Sequence, residues 1–152
     1  LREDNPRPII LLASGTGFAP TKAIAEHIFA EGINREDSGK LFRPVVLYWG
    51  ARTRSDLYLD SLPARWATEQ PNFHYVPVLS EARPDDAWTG RTGFVHRAVM
   101  EDFPDLSCHQ VYACGVPVMV NAARGDFTTL CGLPEDQFFA DSFTSQADLA
   151  QA

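Results

Sequence analysis

The stretch Pro8-Ile9-Ile10-Leu11-Leu12-Ala13-Ser14-Gly15-Thr16-Gly17-Phe18-Ala19-Pro20 limits the possible folds of this chain more than any other. An unbroken run of large aliphatics, bounded by Pro8 and by small residues, predicts a strand buried on both faces rather than one alternating between core and water. The glycine pair turns the chain, and a helical pattern follows from Pro20. Ile24, Ala25, Ile28 and Phe29 gather on one side of it, with Lys22 and Glu26 on the other. A strand, a glycine turn and a helix start offer first-turn amides to an anion, and Gly15 and Gly17 expose backbone that a side chain would cover. A ligand-free turn has the same pattern, so the motif alone leaves both readings open. The ordinary dinucleotide fingerprint has a third glycine where Pro20 stands, and an acid after the second strand where Gly50-Ala51-Arg52 stands. A phosphate P-loop is excluded because no Gly-Lys-Ser/Thr follows. Any nucleotide here is held differently from that of an ordinary Rossmann dehydrogenase.

Further along, Pro44 to Gly50 predicts a second buried strand, Asn72 to Leu79 a third, Gln110 to Cys114 a fourth and Gln137 to Phe143 a fifth. Pro77 points to an edge position for the third, since proline cannot donate to a ladder. Ser55 or Asp56 is suited to capping a short helix through Leu57 and Leu59, and Pro63 to starting another through Trp66. Thr92 is a candidate cap for a helix carrying Val95, Ala98 and Val99. Pro117 opens a helix with the apolar stripe Val120, Ala123, Phe127 and Leu130. Strands alternating with helices imply an α/β doubly wound, five-stranded parallel sheet with helices on both faces. In such sheets ligands lie at the carboxyl ends of the strands, so Gly15, Gly17, Gly50, Gly115 and the Arg52/Arg54 loop are expected to line one crevice.

At 152 residues the chain reads as one domain. Its net charge of -7 argues against nucleic acid and anionic membrane surfaces as partners. No apolar run approaches the roughly 20 residues that span a bilayer, and Leu1-Arg2-Glu3-Asp4-Asn5 lacks a signal-peptide layout. The expected location is the cytoplasm. Cys108, Cys114 and Cys131 lack metal-ligand spacing and the histidines are scattered singly, so no metal site is expected. All three cysteines read as buried free thiols.

Four motifs in order carry a resemblance: Ser14 to Pro20, Tyr48 to Leu59, Trp88-Thr89-Gly90-Arg91-Thr92-Gly93, and Cys114-Gly115-Val116-Pro117-Val118-Met119. Together they resemble the nicotinamide-nucleotide-binding domain of the ferredoxin-NADP reductase superfamily, most closely the CDP-6-deoxyglucoseen, oxygenase and NAD(P)H-flavin reductases. The resemblance covers residues 1–143 and leaves 144–152 as a small polar tail. It implies a flavoprotein in which NADH or NADPH on this domain gives hydride to FAD, bound mainly by a separate domain of the same polypeptide. Neither that FAD barrel nor a 2Fe-2S domain has its motif in this chain, which by itself is expected to be inactive. Electrons are expected to continue to an iron-sulfur centre, a ferredoxin or oxygenase component, or free flavin. A catalytically silent nucleotide-sensing module of the same fold is the alternative.

Carried over by position, the resemblance implies that Gly15, Thr16 and Gly17 hold the pyrophosphate and that Arg52 and Arg54 meet adenosine-side phosphates or ribose. Cys114 and Gly115 would flank the nicotinamide near its reactive carbon, Met119 would pack near the adenosine side, and Phe143 would approach the flavin. Cys114 and Phe143 are thus the candidates closest to the chemistry. Ser14 stands where many members have glycine.

Overall fold

The computed structural model describes residues 7–37 and 43–142. Six strands form one parallel sheet: β1 (Ile9–Ser14), β2 (Val45–Ala51), β3 (Phe73–Leu79), β4 (Arg91–Thr92), β5 (Gln110–Gly115) and β6 (Phe138–Ser142). Their order is β4-β3-β2-β1-β5-β6. The chain steps outward from β1 to β4, then crosses back to β5 on the other side of β1, so the order reverses between β1 and β5. Such a switch point opens a crevice, because the helices that follow its two strands diverge onto opposite faces.

Four helices cover the sheet: α1 (Phe18–Glu31), α2 (Ser61–Glu69), α3 (Val95–Asp102) and α4 (Pro117–Leu130). The side chains of β1 divide between two cores. Ile9, Leu11 and Ala13 join Phe18, Ala25 and Ile28 of α1 and Trp66 of α2. Ile10 and Leu12 join Val95, Ala98 and Val99 of α3 and Val120, Ala123 and Phe127 of α4. This division explains the continuous aliphatic run, because neither face of a central strand meets water. On the first face Phe18 stacks on Trp49 with centroids 4.1 Å apart, and Phe29, Trp66 and Phe73 meet edge-on.

The α/β doubly wound architecture is as the sequence implies, with one strand more than the five expected. Arg91 and Thr92 pair with Val78 and Leu79 as β4, a strand too short to leave a periodic signal. Thr92 is therefore in the sheet, and the residue capping α3 is Phe94, without a side-chain cap hydrogen bond. Pro77 is tolerated because β4 reaches only Val78 and Leu79, which leaves the outer side of β3 free of a strand before them.

The chain after β2 also differs from expectation. Arg54–Asp56 form a single 3-10 turn capped by Thr53, whose N–H and hydroxyl both donate to Asp56 Oδ2 at 3.2 and 3.1 Å. Asp60 then caps α2. Leu130 ends α4 exposed rather than in its stripe, and Cys131 and Leu133 beyond the helix close that end of the core instead. Cys108 is exposed, contrary to the expectation of three buried thiols, while Cys114 and Cys131 are buried; none of the three is in a disulfide. Among the described residues no helix is long and apolar enough to cross a membrane.

Candidate functional site

The carboxyl ends of the strands open into a cleft of about 1000 Å³. Its floor is Ser14, Gly15 and Thr16 after β1 and Gly50, Ala51 and Arg52 after β2. Ser80 and Glu81 after β3 border it, and its walls are the first turn of α3 and one face of α4. A smaller recess of about 290 Å³ adjoins it, shared by Arg52, Thr53, Ser55, Asp56, Glu81 and Arg83. The Glu81 N–H donates to the Arg52 carbonyl at 2.8 Å, which ties the loops after β2 and β3 together beside this recess.

The glycine turn is fixed from several directions. Gly15 has a left-handed φ of 53°, which its lack of a Cβ permits, and its carbonyl accepts the Trp49 indole N–H at 3.0 Å. The Thr21 hydroxyl donates to the Gly17 carbonyl at 2.9 Å. Gly17 is demanded by packing rather than by dihedral angle: a Cβ there would overlap the Cys114 carbonyl oxygen and lie 2.6 Å from its carbon. Over Gly15, in contrast, no atom lies within 4 Å of where a Cβ would stand. Gly17 thus seats the turn against β5, and Gly15 leaves bare backbone facing open space.

Of the residues singled out in the sequence, Gly15, Thr16, Arg52 and Met119 line the cleft. Gly17 lies behind it, buried. Cys114 is 2% exposed and lies outside the cleft lining, with its carbonyl backing Gly17. Gly115 has φ 151°, and a Cβ there would overlap Ser14 Oγ and approach Met119 Cε at 3.2 Å. Ser14 Oγ in turn accepts the Val116 N–H at 3.4 Å, bridging the ends of β1 and β5. Arg54 turns away: its guanidinium donates to the Asp86 carbonyl at 2.9 Å and lies 5.9 Å from the centre of the Trp88 ring. Phe143 lies outside the described residues.

Sequence reasoning missed most of the α3 and α4 walls, including Phe94, His96, Arg97, Ala122 and Asp126. His96 Nε2 and Asp126 Oδ2 are 3.0 Å apart and brace α3 against α4. These residues are thirty positions apart, and nothing in a linear pattern joins them. Phe94 had a signal, a large apolar residue directly after Gly93 and before the periodic run of α3.

The arrangement is suited to an extended, flat, anionic ligand. Bare backbone at Gly15 and Thr16, at the start of a helix, provides for phosphate. Apolar walls accommodate planar rings, and Arg52 brings positive charge to the loop after β2. The family model for the oxidoreductase NAD-binding domain matches residues 11–125. The chain belongs to this family. Its NAD-binding domain is 50% identical over 143 residues to the CDP-6-deoxy-L-threo-D-glycero-4-hexulose-3-dehydrase reductase of Yersinia pestis, covering 94% of this chain and 40% of that protein. It is 36% identical to the NAD(P)H-flavin reductase of Vibrio harveyi, covering 94% of this chain and 56% of that one. Among solved structures, the Amycolatopsis cytochrome P450 reductase superposes with a TM-score of 0.77 at 34% identity, covering 94% of this chain and 39% of that chain. The NAD-binding domain thus spans about half or less of the length of these relatives, and the family is the one its four motifs resemble.

Proposed function

We propose that this NAD-binding domain presents NADH or NADPH to an FAD held by another domain of the same polypeptide, as part of an NAD(P)H oxidoreductase. The electrons then pass to an iron-sulfur centre, a ferredoxin or oxygenase component, or free flavin. The observation that carries the reading is the glycine turn: Gly17 is packed so tightly on Cys114 that it seats the turn at the switch point, while Gly15 stands open to the cleft. The names of the relatives, a dehydrase reductase and a flavin reductase, support the reaction class.

The nicotinamide supplies the chemistry, a hydride that carries two electrons to an acceptor. This chain's part is placement, and fixing reacting groups in an aligned geometry is worth roughly 7 to 11 kcal/mol in well-oriented systems. In this reading Gly15 and Thr16 receive the diphosphate, Arg52 offers charge to the adenosine-side phosphate or ribose, and Met119 packs against the adenosine side. Cys114 and Gly115, at the end of β5, shape the nicotinamide end. Because Cys114 is buried, it acts there through the position of its backbone and the packing of the Gly17 turn. Phe143 is the proposed aromatic neighbour of the flavin.

The test is nucleotide-dependent flavin reduction in the full-length protein, followed by stopped flow, beside calorimetric titration of this chain with NADH and NADPH. Binding by the chain and bleaching of flavin absorbance in the parent are expected. Binding without flavin reduction in the parent would reject hydride delivery. In the same assay Cys114→Ala is expected to slow hydride transfer more than it weakens binding, since it acts on geometry at the reacting end.

A further inference from the structure

In the glycine turn, the residue that leaves backbone open to the cleft also leaves it loose. Gly15 has φ 53° and nothing within 4 Å of where a Cβ would stand, so no side chain of its own restricts its backbone. The peptide that follows it carries the amide of Thr16, the exposed residue of the turn. A donor serves a ligand best when its direction is fixed before the ligand arrives. Something other than Gly15 has to fix it.

Trp49 of β2 is placed to do so. It is fully buried, and its backbone is in register with Ala13 of β1. Its ring stacks on Phe18 with centroids 4.1 Å apart and planes 10° from parallel, and Tyr58 meets it edge-on at 5.3 Å. A ring packed on both its face and its edge is confined to one rotamer. From that position its indole N–H donates to the Gly15 carbonyl at 3.0 Å. Phe18 begins α1 directly after the turn. One ring therefore grips the chain on both sides of Thr16, by a hydrogen bond at Gly15 and by stacking at Phe18.

We propose that Trp49 is a positioning residue for nucleotide binding: by holding the Gly15 carbonyl it orients the Gly15–Thr16 peptide and so presents the Thr16 N–H to the diphosphate. The C=O and N–H of a trans peptide point in opposite directions. A carbonyl drawn toward the buried indole thus turns its partner N–H away from the core, toward the cleft that Thr16 lines. The inference rests on the nucleotide-binding reading above and deepens it. Glycine supplies the open backbone, and the indole supplies the rigidity that glycine lacks.

The test replaces Trp49 in the full chain by benzothienylalanine, which keeps the shape of the ring and exchanges its N–H for sulfur. Calorimetric titration is expected to show NADH bound roughly tenfold more weakly, the scale of impairing one charge-assisted hydrogen bond, with a melting temperature close to that of the wild type. In amide NMR spectra the Thr16 resonance is expected to move on addition of NADH or inorganic pyrophosphate to the wild type, and to move much less in the variant. A tryptophan that only fills space would not change that signal. Trp49→Phe, which keeps a ring but no N–H, is expected to lose NADH affinity as well. Trp66→Phe is the control, because the Trp66 ring meets Phe18 and Phe29 in the same core; it is expected to lower the melting temperature and retain NADH affinity. Unchanged NADH affinity in the benzothienylalanine variant, or equal affinity losses in Trp49→Phe and Trp66→Phe, would overturn the assignment and leave nucleotide binding standing. Failure of the wild type to bind NADH would instead reject the nucleotide-binding reading, and the role of Trp49 with it.

Discussion

The two ends of the sheet solve opposite problems. At the amino ends of the strands a cluster of polar side chains around Arg43 and Gln110 is buried and engaged. Arg43 is fully buried, with its guanidinium donating to the Arg7 carbonyl and to Gln110 Oε1, each at 2.6 Å. The Tyr112 hydroxyl donates to the same Gln110 oxygen at 3.1 Å, and Gln110 Nε2 donates to Gln137 at 3.3 Å. At the carboxyl ends the reverse holds: Thr16, Arg52 and Glu81 face water, Phe94, Val116 and Val118 are exposed, and the backbone at Gly15 is uncovered. A closed polar network strengthens each of its bonds in a low dielectric, whereas an open cleft keeps its groups available to a ligand. The contrast teaches that one end of this sheet is built for stability and the other for binding.

Substitutions at the two ends should therefore fail differently. The largest expected effect is at the amino end, where Arg43→Leu removes a buried charged donor from the Arg7 carbonyl and from Gln110 Oε1 and lowers stability by about 3 kcal/mol. Denaturant unfolding measures it, and nucleotide affinity of the folded fraction should be unchanged. A fall in affinity without loss of stability would break the division. Gly17→Ala belongs to both ends of the argument, because its new methyl overlaps the Cys114 carbonyl. It is expected to lower stability by about 2 kcal/mol and to weaken NADH binding as well, read by thermal unfolding and calorimetry together.

Arg52 and Arg54 sharpen the comparison within the carboxyl end. Arg52→Ala is expected to weaken nucleotide binding by about 1.5 kcal/mol, the scale of one charge-assisted hydrogen bond to phosphate, with an unchanged melting temperature. Arg54→Ala, whose guanidinium is spent on the Asp86 carbonyl and the Trp88 ring, should change either readout by only about 0.5 kcal/mol. Equal losses of affinity for the two variants would contradict the placement of Arg54 outside the cleft.

The smallest expected effect is a pH dependence from the amino end. Burial holds the His109 imidazole below its ordinary value of 6.5, with Arg7 acting in the same direction and Asp105 against it. The unfolded chain therefore takes up a proton first as the pH falls below 6.5, and folded stability declines from there until the folded imidazole also protonates. His109→Gln is expected to reduce the acid-side fall in melting temperature while leaving nucleotide binding at neutral pH unaltered.

Much of this was legible from the chain alone. The aliphatic run of β1 and the glycines after it announce a doubly buried strand and a backbone-lined turn, because burial and chain reversal are demands made on neighbouring residues. Four ordered motifs led to the right family for the same reason, being local solutions to local geometry. The two-residue β4 is not legible because two residues carry no period, and Thr92 therefore resembles a helix cap in sequence.

The cleft was legible only in part. Gly15, Thr16, Arg52 and Met119 line the cleft, since each sits at a strand end or helix start that the pattern places. The division of labour between Arg52 and Arg54 depends on which way each side chain turns, and Asp86 and Trp88 decide that from another loop. Arg43 reads in sequence as the end of a polar loop, yet it lies among Arg7 and Gln110, strands away. The sequence by itself determined five of the six strands, the turn and the family, through periodicity and glycine chemistry. Tertiary structure alone decided that Gly17 must be bare against Cys114, that His96 braces Asp126 across two helices, and that Phe94 is left uncovered in the cleft. Those are distances between remote segments, and they exist only once the sheet order brings the segments together.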